Sequence, residues 1–136
     1  MSCLIDRATI VLAWYHMHSL PVTPINPRTS QIKFPSQTYA TVASPSALPF
    51  PSQTSVSIIT PPSVTKEVLK DAKDAGIPAV WLQPGSFDEE GLEFAKKNFK
   101  AGVGGDGGNG GEGWCVLVDG EEILDAIGRK WKTQRL

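Results

Sequence analysis

Three short stretches of this chain carry groups suited to holding a ligand: Asn26-Pro27-Arg28, Thr60-Pro61-Pro62 and Gln83-Pro84-Gly85. Each closes an apolar run and joins a proline or glycine corner to a small polar group. Arg28 offers a planar fork of donors that fits a phosphate. A solvated surface arginine is the plainer reading of the same residue. Pro62 would open a helix, whose first N–H groups lack intrahelical partners and suit an anion. The prolines also read simply as punctuation that stops strands. Groups able to turn a substrate over are harder to find. The sequence holds no GxSxG, CxxC or HExxH pattern, and no histidine beyond His18 to act as a general base. The chemistry on offer is recognition rather than turnover.

The other reactive residue types read as structural. His16 and His18 stand two apart, which on a helix sends them to different faces and disfavours a shared metal. Exposed or capping histidines are expected instead. Cys3 and Cys115 make no disulfide framework, so a reducing compartment is the default. Cys115 has no basic neighbour in sequence to favour its thiolate and reads as a small buried apolar residue. Residues 102–113, GVGGDGGNGGEG, are mostly glycine. A glycine loop cradles phosphate when a strand precedes it and a helix follows. This one lacks GxxxxGK[ST] and any lysine, and carries Asp106 and Glu112. A flexible surface loop is the favoured reading.

The elements that would position the three corners follow from pattern. Ser55 to Thr60 is short and β-branched, as a buried strand is. A helix follows Pro62, with Val64, Val68, Leu69, Ala72 and Ala75 on one stripe, and Gly76 ends it. Ala79 to Leu82 is a second strand. Strand, helix and strand within about 30 residues make a βαβ unit with parallel strands. Ligands of open parallel sheets bind outside the carboxyl ends of the strands, which is where the Thr60 and Gln83 corners lie.

Around that unit, Ala8 to Ser19 predicts a helix with Val11, Leu12, Tyr15 and His18 on one side. Leu20 to Ile25 predicts a strand that ends at Asn26. Thr29 to Gln53 reads as an ordered excursion anchored by Ile32, Phe34, Tyr39, Val42 and Leu48. It holds a short strand near Tyr39 to Val42 and a helical turn at Ser44 to Leu48, and its prolines preclude longer elements. A second helix begins where Ser86 and Glu89 have capping-box spacing and Asp88 competes as cap. Leu92, Ala95 and Phe99 form its buried side, and its acid-first, lysine-last order suits the helix dipole. Ala101 to Val103 and Cys115 to Val118 predict two further strands. A final helix starts at Asp119 or Gly120 and runs through Ile123, Leu124 and Ile127. The whole is an α/β layer fold with right-handed crossovers.

Length and charge set outer limits. The 136 residues predict one domain, 1–136, with an atypical start at 1–9 and the glycine-rich loop at 102–113. A net charge of -1 gives no electrostatic case for nucleic acid or an anionic membrane as a partner. No apolar run reaches the roughly 18 residues of a membrane span. The start is a poor signal peptide. A cytoplasmic location is expected, with a mitochondrial one open.

Five motifs carry a resemblance: PVTPINPR (Pro21 to Arg28), TVASPSALP (Thr41 to Pro49), SIITPP (Ser57 to Pro62), AGIPAVWLQPG (Ala75 to Gly85) and GWCVLVDGE (Gly113 to Glu121). Together they resemble the small CoA-binding domain family, Rossmann-like and similar to the amino-terminal domain of succinyl-CoA synthetase α subunits, with single-domain fungal members nearest. The resemblance covers nearly everything from Val11 onward. It implies a three-layer parallel sheet with coenzyme A across the carboxyl edge. The implied contacts are Asn26, Pro27, Arg28, Thr60, Pro61, Pro62, Gln83, Pro84 and Gly85. No catalytic residue and no metal is implied, and the family's cysteine resembles Cys115 without an assigned chemistry.

The chain departs from that family at its start. Members open with an apolar strand running into a Gly-Ala-Ser type turn near the ligand's phosphates. Here the first glycine is Gly76, and Ile10 to Tyr15 resembles the helix after that turn. An N-terminally truncated sheet is therefore expected, lacking the central strand between Leu20–Ile25 and Ser55–Thr60, with two exposed edges and weakened binding. Three function classes stay open: a non-catalytic CoA or acyl-CoA binding domain, a protein-interaction module or decayed paralogue, and an acyl-CoA synthetase-type enzyme subunit. The first is favoured. A homo-oligomer or an unidentified protein partner stays open as well.

Overall fold

The computed structural model describes residues 7–109 and 113–136. Cys3, Glu112 and positions 1–6 of the atypical start lie outside the described residues. Helix α1 is Arg7–Met17. Two short strands follow, β1 (Gln31–Lys33) and β2 (Thr38–Ala40), paired antiparallel with Ile32 opposite Tyr39. Two 3-10 turns, Pro45–Ala47 and Pro51–Gln53, each begin on a proline, where its missing N–H costs nothing. Then come β3 (Ser55–Ile58), α2 (Pro62–Asp74), β4 (Ala79–Leu82), α3 (Glu89–Asn98), β5 (Ala101–Val103) and α4 (Val116–Ala126).

The strands β3, β4 and β5 form one parallel sheet in that order. Ser57 lies opposite Trp81 and Ile58 opposite Leu82. Because strand side chains alternate, Val56, Ile58, Val80 and Leu82 share one face. That face packs on Leu69 and Ala72 of α2, on Ala95 of α3 and on Phe99, all buried. Thr65, Leu69 and Ala72 recur at helical spacing, so α2 presents a continuous stripe to the sheet. Each fully buried Leu here contributes about 2 kcal/mol of transfer free energy. Gly76 ends α2 with φ of 84°, a left-handed angle that a side chain resists. The excursion is tied down at Pro45–Ala47, where the Ser46 N–H donates to Asp71 of α2 at 2.9 Å.

Sequence expectation and structure agree on the βαβ unit and on β5. They part in several places. Leu20 to Ile25 forms no strand. Pro21 and Pro24 remove donors that a ladder needs, and the segment makes a single parallel bridge, Ile25 to Val42. The strand expected at Tyr39 to Val42 is β2, Thr38–Ala40, with β1 as an unforeseen partner. Cys115 to Val118 is no strand either: α4 begins at Val116, with Cys115 as its N-cap. The histidines, expected to be exposed or capping, are both buried, at 1% exposure for His16 and 8% for His18.

Their partners explain that burial. His16 faces the Tyr39 hydroxyl through Nδ1 and the Arg135 carbonyl through Nε2, each at 2.7 Å. His18 stacks on Trp14, with ring centroids 3.9 Å apart. Its Nδ1 lies 2.7 Å from the Trp14 carbonyl and its Nε2 2.8 Å from Glu121. The two rings thus fasten α1 to the hairpin, the C-terminal segment and α4. Among the described residues no helix is long and apolar enough to cross a membrane.

Candidate functional site

The parallel pairing of Ile58 with Leu82 carries the chain out of β3 and β4 at the same rim. The Gln83 N–H donates to the Ile58 carbonyl at 3.0 Å and extends the ladder to the corner itself. Thr60-Pro61-Pro62 and Gln83-Pro84-Gly85 therefore stand side by side. Thr65, fully buried, shapes the first corner from inside α2. Its hydroxyl donates to the Thr60 carbonyl at 3.1 Å and accepts from the Thr60 hydroxyl at 2.7 Å. No side chain caps α2, Pro62 occupies its first turn, and that turn holds no acid. Its start is the anion-receptive end that Pro62 predicts.

The second corner is fixed by Gln83, only 2% exposed. Its Nε2 donates to Ser57 Oγ at 3.0 Å, and its Oε1 accepts the Val116 N–H at 2.9 Å. Its carbonyl accepts from the Ser86 N–H at 3.1 Å and the Ser86 hydroxyl at 2.7 Å. The side chain thus knits β3, β4 and the start of α4 together rather than pointing into solvent. Gly85 turns the chain with φ of 84°, and Pro84 is buried beside it.

The Asn26-Pro27-Arg28 stretch stands apart from the sheet ladder. Its support is the bridge to the excursion, with the Asn26 N–H donating to the Val42 carbonyl at 2.9 Å. Asn26 Oδ1 accepts the Arg28 N–H, also at 2.9 Å, and closes a tight Asx turn. Arg28 is exposed and makes no ion pair among the described residues.

At the end of β5 the described part of the glycine-rich loop is pinned, not free as its composition suggested. Asp119, 1% exposed, accepts from the Asn109 N–H at 2.7 Å and from the Cys115 N–H at 3.0 Å. A side chain at Gly108 would collide with that carboxylate, and Gly108 also has φ of 77°. The Trp114 N–H donates to the Gly105 carbonyl at 3.1 Å, and the Trp81 indole to the Trp114 carbonyl at 3.2 Å. The loop is organised around a buried carboxylate, which repels phosphate rather than cradling it. Cys115 is half-exposed, not buried as expected.

Electrostatics separates the helices that begin here. Asp88 caps α3 by accepting the Gly91 N–H at 2.8 Å, and Lys66 of α2 reaches Asp88 and Glu90 at 3.0 Å each. The Gly91 N–H, then Lys66, hold the Asp88 carboxyl below its ordinary range. Asp88 and Glu90 in turn raise the Lys66 ammonium. The start of α3 already holds an anion of its own, so the start of α2 is the open one. Two open cavities flank α4. One, about 300 Å³, is lined by Gly108, Asn109, Trp114, Asp119, Glu122, Ile123 and Ala126. The other, about 400 Å³, is lined by Asp125, Gly128, Arg129, Lys130 and Trp131. Neither is lined by the corner residues.

Sequence reasoning missed Ser57 and Thr65, which brace the two corners. For Ser57 a signal existed: it alternates with Val56 and Ile58, so it lies on the opposite face with Trp81 and Gln83.

A parallel sheet with a crossover helix, and polar corners gathered at its carboxyl rim, defines a Rossmann-like α/β layer protein. The sequence model of the CoA binding domain family matches residues 6–109. The chain belongs to that family. Among curated proteins and solved structures, none matches it significantly.

Proposed function

We propose that the chain is a non-catalytic coenzyme A or acyl-CoA binding domain acting over the whole of 1–136. The ligand lies along the rim with its diphosphate toward the uncapped start of α2 and the Arg28 guanidinium. Thr60, Pro61 and Pro62 form one wall, Pro84 and Gly85 the other. Asn26 and Pro27 present Arg28, and Gln83 shapes the second wall from beneath. The observation that carries this reading is the joint placement of the β3 and β4 corners, in a chain of the CoA binding domain family.

Thermal melting tests it. Millimolar coenzyme A raises Tm, because a ligand that binds only the folded state stabilises it by mass action. Arg28→Ala shrinks the rise, and pantetheine, which lacks the diphosphate, gives less. No shift with millimolar coenzyme A, and no binding by calorimetry, overturns the reading. Acyl-CoA formed from coenzyme A, a carboxylic acid and a nucleotide would overturn the non-catalytic part.

A further inference from the structure

The two hydroxyls at the β3 corner have their protons assigned by their neighbours. Thr65, fully buried in α2, has one hydroxyl proton and two oxygens within reach. One is the Thr60 carbonyl at 3.1 Å, which can only accept. The other is the Thr60 hydroxyl at 2.7 Å, which can donate or accept. The Thr65 proton therefore goes to the carbonyl, and the Thr60 proton goes to Thr65. Thr60 is left with lone pairs alone. Its hydroxyl is a fixed acceptor, on a half-buried residue just past the end of β3. The backbone beside it holds the complementary group. Pro61 and Pro62 have no N–H. The Val64 and Thr65 N–H groups both donate to the Pro61 carbonyl, at 3.0 and 2.9 Å. Ser63 is then the first-turn residue whose N–H has no backbone partner among the described residues. One corner thus sorts ligand groups by type: an anion suits Ser63 and is repelled by Thr60, and an N–H or O–H suits Thr60.

We propose that Thr60 is a specificity-determining residue of the coenzyme A rim: its hydroxyl accepts from an N–H or O–H of the ligand, and Thr65 keeps it in that role. The proposal rests on the reading of that rim as the coenzyme A site, and it gives the bound ligand a direction. Coenzyme A is asymmetric. Its pantetheine arm carries amide N–H groups, and its nucleotide carries a ribose hydroxyl and the adenine amino group. The diphosphate between them offers only acceptors at neutral pH. With the diphosphate at Ser63 and Arg28, Thr60 meets a donor from one side of it and not a phosphate oxygen. A threonine hydroxyl near a helix start ordinarily can donate to a phosphate. That use is closed to Thr60 for as long as Thr65 takes its proton.

Calorimetric titration of the full chain tests this with coenzyme A and its two halves. Pantetheine has the amides and no phosphate, and adenosine 3′,5′-bisphosphate has the nucleotide and no amide. Thr60→Val keeps the shape and loses the acceptor. It weakens coenzyme A about tenfold, as loss of one hydrogen bond predicts, and Thr60→Ser restores the affinity. A matching loss with pantetheine places the arm at Thr60, and a matching loss with the bisphosphate places the nucleotide there; either supports the acceptor. Thr65→Val returns the proton to Thr60 and reverses its preference. Inorganic diphosphate then binds more tightly than to the wild type and coenzyme A more weakly, a reversal that a simple packing role would not produce. Unchanged coenzyme A affinity in Thr60→Val overturns the proposal and leaves the rim reading standing. Diphosphate binding that is unchanged or weaker in Thr65→Val overturns the proton assignment. If the wild-type chain binds no coenzyme A, the rim reading fails and the proposal falls with it. Should Thr65→Val not fold, Thr60→Val and Thr60→Ser decide the matter between them.

Discussion

The two faces of the three-stranded sheet are built on different physics. One face presents Val56, Ile58, Val80 and Leu82 to α2 and α3, all apolar and all buried. The other presents Ser57, Trp81 and Gln83: Gln83 donates to the Ser57 hydroxyl and accepts the first N–H of α4, and the Trp81 indole donates to the Trp114 carbonyl just ahead of α4. Apolar contacts are individually weak and shared among many neighbours. A buried amide has one correct partner at each end, and losing it leaves the remaining group unsatisfied. The first face sets stability. The second sets where the carboxyl rim and the start of α4 stand with respect to each other.

The largest expected effect is on the apolar face. Leu82→Ala leaves a cavity in a fully buried site and costs about 3 kcal/mol, read from the urea midpoint. Equal loss from a surface control such as Lys100→Ala would contradict the assignment. Next comes Gln83→Leu, which keeps volume but strands Val116 N–H and Ser57. It costs about 2 kcal/mol in the same assay. A neutral result would mean that water replaces both bonds. Gly120→Ala follows, because a side chain there meets the Trp14 indole. It costs about 1–2 kcal/mol by overpacking, and Trp14 fluorescence reports the displacement.

The smallest effect lies at Asp88. Its folded-state carboxyl is held below the ordinary value of 3.8 by the Gly91 N–H and then Lys66. Such a group contributes stability above that value, and the contribution is lost as pH falls through the lower folded value. Asp88→Asn keeps the cap but not the charge. It should flatten the acid limb of the stability profile below about pH 4, because the small contribution that the wild type has at neutrality and loses in acid is missing throughout.

The same contrast explains what the sequence disclosed. The apolar face was readable because its signal is local. Ser55 to Leu82 repeats strand, helix and strand periods, and β4 and β5 occur where the pattern placed them. The corners followed from it, since Pro and Gly mark where strands end. The polar face was not readable, because its partners are distant in sequence: Gln83 and Val116 are 33 residues apart, Gln83 and Ser57 26. Cys115 to Val118 misled because a short apolar run suits a strand or a buried helix equally. Asp119 folding back onto the Cys115 N–H starts the helix there. His16 looked exposed because nothing near it in sequence announces Tyr39 or Arg135.

The most direct test of the central claim is an amide-resolved titration of the chain with coenzyme A. Shifts concentrated at Thr60, Ser63, Gly85 and Ser86, with Arg28 following at higher concentration, are the expected result. An unshifted rim, or shifts confined to the segment from Arg129 to Arg135, would contradict it.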